Sequence, residues 1–231
     1  MNEVRHVGIV PDGNRRFSKR LMQVPWKGHE YGAKKIEELM DWSREFGIKE
    51  LTIYTFSIQN FDRPKQEFDY LMKIFKEEFN RIKDDPELCK KGLKINFIGR
   101  IHMFPVDVQK AMNELMEKTK NNSKYIINFA MAYGGREEII DATKKIATLI
   151  KNGKLEVENI DEELFKKNLY LESEPDIIIR TSESRLSGFL PWQSTYSEIV
   201  FLPDLLWPEF KKEHFVKCIE DFKNRDRRFG L

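Results

Sequence analysis

Six short apolar runs, most of them rich in β-branched residues, punctuate the chain: VRHVGIV (4–10), LTIYTF (51–56), LKINFIG (93–99), YIINFAMAY (125–133), DIIIR (176–180) and SEIVF (197–201). Several are almost continuously apolar, which is the pattern of strands covered on both faces. Between them the period changes to that of a helix. Residues 28–46 place Ile36, Leu39, Met40 and Phe46 on one side, and residues 66–83 place Phe68, Leu71, Met72, Phe75 and Phe79 at i, i+3, i+4, i+7 and i+11. Pro105 suits the first turn of a helix running to about residue 120, YGGREEIIDATKKIATLI (133–150) opens another, and Phe215, Ile219 and Phe222 stripe the last. KNGKLEVENIDEEL (151–164) reads as a surface loop. Alternating strands and helices, with no repeat or linker, predict one α/β domain over 1–231: a mostly parallel six-stranded sheet flanked by helices.

Ligands of such sheets bind beyond the carboxyl ends of the strands, so the residues after each run are the candidates for chemistry. After the first run come Asp12, Gly13, Asn14, Arg15 and Arg16; after the second, Ser57, Gln59, Asn60 and Arg63; after the fifth, Thr181, Ser182, Arg185 and Ser187. Arginines thus gather at three separate strand ends.

Charge narrows what they could hold. Lys+Arg at 40 against Asp+Glu at 38 leaves a net +2, too balanced for a bulk polyanion binder, so nucleic acid is not an expected partner and anion recognition must be local. Seventeen phenylalanines supply a large apolar volume, for core packing in the first instance. Cys89 and Cys218 match no metal-ligand spacing, no stretch approaches a membrane span, and the start lacks the apolar core of a signal peptide. A soluble, reduced, cytoplasmic protein is the expectation.

Neither G-x-x-x-x-G-K-[ST] nor G-x-G-x-x-G follows a strand. Gly13 does stand at a tight strand-to-loop turn, where backbone N–H groups could face an anion. Arg15 and Arg16 beside Asp12 read either as a surface ion pair or as a phosphate clamp built from planar guanidinium forks. A carboxylate among arginines fits a phosphate site when Mg²⁺ bridges it to the ligand. Glu198 is either an exposed strand-edge charge or a second metal carboxylate, and His29 either a cap or core histidine or a phosphate donor. Asp84-Asp85-Pro86-Glu87 reads as a helix end, and Trp192 and Trp207, each beside a proline, as packing residues.

HVGIVPDGNRRF, GHEYG, YTFSIQNFDRP, FAMAYGGREEI, DIIIRTSESRLSGFLPWQSTYSEIVF with LWPEF, and the terminal NRDRRFGL together resemble the cis-prenyltransferases, the undecaprenyl and dehydrodolichyl diphosphate synthases. The resemblance spans essentially the whole chain. It implies a hydrophobic tunnel and repeated addition of isopentenyl diphosphate, in the Z configuration, to an allylic primer such as farnesyl or geranylgeranyl diphosphate. The product would serve as a lipid glycan carrier.

The resemblance also implies roles. Asp12 is the essential acid that engages Mg²⁺, with Glu198 completing the metal site. Gly13, Asn14, Arg15, Arg16 and His29, with Phe17 in the same motif, cradle the allylic diphosphate. Arg180, Arg185 and Ser187, with Leu186 between the last two, hold the isopentenyl diphosphate. Ser57, Ile58, Gln59, Asn60, Phe61 and Arg63 form a mobile loop over the reacting carbons, Asn60 being the second catalytic residue. Arg227–Gly230 would help complete the site across a dimer, whether homodimer or heterodimer, and the product would leave to a membrane on which the enzyme sits peripherally. Pro11, Pro25, Gln59 and a segment at 182–184 one residue short depart from the family pattern. Those departures keep open an alternative, a non-catalytic partner subunit.

Overall fold

The computed structural model describes residues 3–225; the C-terminal Arg227–Gly230 element lies outside the described residues. Six strands, β1 (His6–Val10), β2 (Glu50–Ser57), β3 (Leu93–Ile98), β4 (Tyr125–Tyr133), β5 (Ile177–Thr181) and β6 (Glu198–Leu202), form one sheet in the order β3-β4-β2-β1-β5-β6. Every pairing is parallel, not merely most of them. The helices are α1 (Asn14–Arg20), α2 (Gly28–Glu45), α3 (Lys65–Asp84), α4 (Glu87–Lys90), α5 (Val106–Thr119), α6 (Gly135–Lys151), α7 (Glu162–Asn168) and α8 (Lys212–Lys223). Within the expected 151–164 loop, α7 begins at Glu162, because Asp161 caps it by accepting from the Leu164 N–H at 2.8 Å.

Register explains the apolar runs. Ile95, Ile127, Leu51, Val7 and Ile177 stand side by side across five strands, and Phe97, Phe129, Ile53, Ile9, Ile179 and Val200 form the next rung. Alternation puts both rungs on one face, where they meet Leu39, Leu71, Phe75, Phe79, Leu115, Phe215 and Phe222 in the main core. The opposite face is different. Val10, Ile178, Ala130 and Ile98 pack there with Phe189, Leu190 and Tyr133, but next to them His6, Thr52 and Asn128 form a buried polar row. His6 Nε2 lies 2.8 Å from Thr52 Oγ1, and Asn128 Nδ2 donates to Thr52 Oγ1 at 3.1 Å and Glu50 Oε1 at 2.6 Å. Hydrogen bonding of this kind is what allows polar groups to stay buried.

Topology selects where a site forms. The chain leaves β1 toward β2 on one side, builds β3 and β4, then crosses to place β5 on the other side of β1. The strand order therefore reverses beside β1, and the crevice beyond the carboxyl ends of β1 and β5 is where a ligand is expected. Val10 pairs with Arg180 in that register.

Candidate functional site

Asp12 is fixed by its backbone before its side chain does anything. Its N–H donates to Thr181 Oγ1 at 3.1 Å, its carbonyl accepts from the same hydroxyl at 2.7 Å and from the Trp207 N–H at 2.9 Å. Gly13 then turns the chain at φ +108°, and a Cβ there would meet Ser182 Oγ at 2.8 Å and Leu206 Cδ2 at 2.9 Å. Both the conformation and the space require glycine. The turn starts α1, which carries Arg15 and Arg16. Asn14 is held against α2 so closely that a Cβ on Gly28 would lie 1.9 Å from its carbonyl oxygen.

Arg180, 4% exposed, reaches across the seam. It donates from Nη2 to Asp12 Oδ2 at 3.0 Å and from Nη1 to Ser187 Oγ at 2.8 Å and the Arg185 carbonyl. Arg16 stands 3.7 Å from Asp12 Oδ1 and donates to Glu183 at 3.0 Å.

A second charged knot lies behind α1. Glu67, in the first turn of α3 and 1% exposed, bonds to Arg63 and sits 3.4 Å from His29 Nε2 and 3.6 Å from Arg15 Nε. The hydrogen bond from His29, with the nearby Arg63 and Arg15 guanidiniums, brings the Glu67 carboxyl down to about 2 against the desolvation of its site. Burial pushes His29 below the usual imidazole value. Glu67 gives two cavity-lining cations, Arg15 and Arg63, and His29 a common anchor, which sequence reading missed. The available signal was the Arg63–Glu67 spacing at a helix start.

These groups surround the mouth of a cavity of about 1110 Å³. Asp12, Gly13, Asn14, Arg15, Arg16, His29, Ser57, Gln59, Asn60, Arg63, Arg180 and Ser187 all line it, joined by Lys19, Tyr54, Arg136 and Glu137, which the sequence had not singled out. Below the mouth the walls are two facing helix stripes: His29, Gly32, Ala33, Ile36, Glu37 and Met40 of α2, and Leu71, Ile74, Phe75, Glu78, Phe79 and Ile82 of α3. Eleven residues of helix span about 16 Å. Of the apolar stripe that the spacing predicts along α3, Leu71, Phe75 and Phe79 reach the cavity, whereas Phe68 packs on Phe56 and Phe61.

Other expected site residues stand elsewhere. Phe17 packs edge-on against Tyr31, Phe61 against Phe56 and Phe104, and Leu186 against the smaller core. Ile58 borders Gly134 outside the lining. The Arg185 side chain is 64% exposed and pairs with Glu183 at 2.7 Å; it is the Arg185 backbone that engages Arg180. Asn60 lines the mouth, but its carboxamide oxygen accepts from the Ser57 N–H at 3.1 Å and closes the turn after β2. Trp207 and Trp192 pack as expected, on Phe210 and Phe165.

Glu198 is not brought to Asp12 within one chain. It pairs with Ile177 at the amino end of β5, while Asp12 adjoins Thr181 at the carboxyl end, four residues or about 13 Å along the strand. Glu198 binds Arg225 instead. Among the described residues no group of three or more His, Cys, Asp or Glu could hold a metal ion. Asp12 alone fits Mg²⁺ in the manner of sites that take one carboxylate and complete the shell with substrate phosphates and water, since its carboxylate faces the mouth amid cations.

Comparison with known proteins bears on the chain as a whole. The family model described as "Putative undecaprenyl diphosphate synthase" matches residues 10–230. A tritrans,polycis-undecaprenyl-diphosphate synthase (geranylgeranyl-diphosphate specific) of Methanocaldococcus jannaschii is 46% identical over 99% of this chain and 83% of its own length. Lavandulyl diphosphate synthase from Lavandula x intermedia, in complex with dimethylallyl diphosphate, superposes with a TM-score of 0.92 at 31% identity over 99% of both chains. A probable undecaprenyl diphosphate synthase from Campylobacter jejuni gives 0.82 at 33% identity over 100% of both. Identity of that extent along the entire domain is a relationship of family, and the chain belongs to the undecaprenyl diphosphate synthase family of cis-prenyltransferases.

Proposed function

We propose that the protein extends geranylgeranyl diphosphate with successive isopentenyl diphosphate units to a Z-polyprenyl diphosphate of undecaprenyl class. The observation that carries this reading is the continuity of one cavity, from a cationic mouth at Asp12, Arg15, Arg16 and Arg180 to apolar walls at Ile36, Phe75, Phe79 and Phe129. Its volume exceeds the usual 300–1,000 Å³ of small-molecule pockets, as a growing hydrocarbon requires. The primer and product class follow the M. jannaschii relative, which carries both in its name.

Chemistry follows from charge. When the allylic C–O bond breaks, negative charge develops on the departing diphosphate, and Arg15, Arg16 and Arg63 are already aimed at the mouth to stabilise it. Bound at Asp12, Mg²⁺ supplies further stabilisation of that charge. Arg180 and Ser187 hold the isopentenyl diphosphate, and their mutual hydrogen bond sets the spacing before substrate arrives. The new carbon–carbon bond joins the allylic C1 to the isopentenyl C4 as the allylic C–O bond breaks, the resulting cation sits at C3, and C2 loses a proton to the released diphosphate to form the new C2=C3 double bond. Asn60 orients the isopentenyl group, because an amide is a poor base and its oxygen is engaged by Ser57. The apolar walls exclude water from the cation.

Glu198 enters through a second copy of the chain. The edge strand β6 is half-buried at all five positions, with Ile199, Val200, Phe201 and Leu202 along it, an edge suited to being covered by another subunit. A metal shared by Asp12 of one copy and Glu198 of the other would reconcile the two ends of the sheet.

Incubating the purified chain with Mg²⁺, labelled isopentenyl diphosphate and farnesyl, geranylgeranyl or dimethylallyl diphosphate tests the reading. Metal-dependent multi-unit products, made best from the geranylgeranyl primer, support it. Single condensations only, or no incorporation at all, would refute it.

A further inference from the structure

Between Asp12 and Glu30 the chain carries Arg15, Arg16, Lys19, Arg20 and Lys27 and not one acidic residue. This stretch folds as α1, a turn at 21–24 and a short 3-10 segment that hands the chain to α2. The turn is held from inside. Ser18, fully buried, donates its hydroxyl to the Val24 carbonyl at 2.7 Å, and its own carbonyl accepts from the Leu21 and Gln23 N–H groups at 3.1 Å each. What the turn displays is mainly apolar: Met22 is 98% exposed, Leu21 45% and Val24 44%, with the exposed Gln23 between Met22 and Val24 turned toward the Tyr31 hydroxyl at 3.5 Å. Met22 takes φ +55°, a conformation uncommon for a side chain of its size, and the result is a bare apolar tip.

Apolar residues exposed singly are ordinary, but three within four residues on a pinned turn form a knob. Lys19 and Lys27 flank it and make no ion pair among the described residues; Arg20 is tied to Glu209 at 3.1 Å. A second exposed pair, Met103 at 40% and Val106 at 81%, follows β3. Because β1 and β3 belong to one all-parallel sheet, both segments leave it at the same end, the end at which the cavity opens.

We propose that the 21–24 turn docks this protein on an anionic lipid bilayer. Leu21, Met22 and Val24 enter the boundary between headgroups and acyl chains, while Lys19 and Lys27 meet anionic headgroups. Short apolar insertion beside basic residues is how peripheral proteins hold a membrane surface. A protein partner fits less well, since a knob of three side chains on a convex turn falls far short of the roughly 800 Å² per partner of a specific interface. The assignment rests on the proposed function only for its purpose: Arg15, Arg16 and Lys19 line the cavity, so docking would set its mouth against lipid, where a polyprenyl product can leave.

Flotation of the purified chain with vesicles of phosphatidylcholine alone, or with about one-third phosphatidylglycerol added, tests the proposal. The wild type should float with anionic vesicles and lose binding as salt rises past the screening range. Met22→Glu and Lys27→Glu, both outside the cavity lining, should each weaken vesicle affinity by about 10-fold while leaving vesicle-free condensation unchanged. Wild type that stays in the pellet with both vesicles, variants that float as wild type does, or a tip instead occupied by a protein on crosslinking would each overturn it. A chain that floats but does not condense removes the enzymatic reading and leaves the docking; one that condenses but does not float does the reverse.

Discussion

The Arg180 guanidinium and the Asp12 carboxylate lie 3.0 Å apart across the seam between β5 and β1, and the two differ sharply in exposure, 4% against 37% for the side chains. A buried cation thus holds a carboxylate that remains open to ligand. Truncating either partner should affect catalysis more than folding. A charge-assisted hydrogen bond contributes about 1.5–3 kcal/mol, so Arg180→Lys, which cannot reach Asp12, Ser187 and the Arg185 carbonyl together, should lower kcat/KM by about 10- to 150-fold. Asp12→Asn should lose at least about 100-fold in kcat while Tm stays within about 4 °C. Steady-state kinetics with thermal melts check both.

Glu67 predicts a pH signature. Its folded carboxyl titrates near 2, below the ordinary value of 4.5, so the ionised form is the one stabilised. The contribution is complete above the ordinary value and disappears as pH falls from about 4.5 toward 2. At pH 7, Glu67→Gln should be less stable than wild type by about 2–3 kcal/mol. That gap should close on acidification, as measured by denaturant unfolding at a series of pH values. Replacement should also raise KM for the allylic primer, because Arg15, Arg63 and His29 lose their common partner.

Much of this was legible in the chain, for identifiable reasons. β-Branched runs such as DIIIR and YIINFAMAY have no helical periodicity, and the six strands fall within two residues of those runs. Parallel pairing follows from the helices between them. The mouth was legible because the strand ends carry arginines that no surface role requires. Glu67 was not, since a glutamate in an amphipathic helix looks solvated until α1 and α2 close over it. Arg185 was placed by its strand end and Glu198 by its apolar run, with the resemblance adding their roles, and position along a chain does not fix whether a side chain turns inward: Arg185 points out to Glu183 and Glu198 lies at the amino end of β6. The His6–Thr52–Asn128 row was hidden because each residue sits singly in an otherwise apolar strand.

Product length should respond to Ile82. A smaller cavity of about 130 Å³, lined by Leu51, Leu88, Leu93 and Ile127, lies beyond the main one and shares Glu37, Met40 and Ile82 with it. Ile82→Ala removes part of the partition at about 2 kcal/mol of stability, the low end for isoleucine because the side chain is only half-buried. Chromatography of dephosphorylated products should show a shift toward longer chains, and an unchanged distribution would remove Ile82 from the cavity floor.

Mixing inactive chains tests the second-copy role of Glu198. If Asp12 of one copy works with Glu198 of another, chains carrying Asp12→Asn and chains carrying Glu198→Gln should regain about a quarter of wild-type activity after random reassociation, because half the dimers are mixed and each holds one intact site. No recovery would confine the site to a single chain.

The most direct measurement is the crystal structure of the protein with an unreactive allylic analogue, geranylgeranyl thiodiphosphate, and Mg²⁺. The account predicts the diphosphate among Arg15, Arg16 and Arg63, the metal on Asp12, and the hydrocarbon running between α2 and α3 past Ile36 and Phe75. A headgroup bound away from those arginines, or a chain lying outside the α2–α3 cavity, would contradict it.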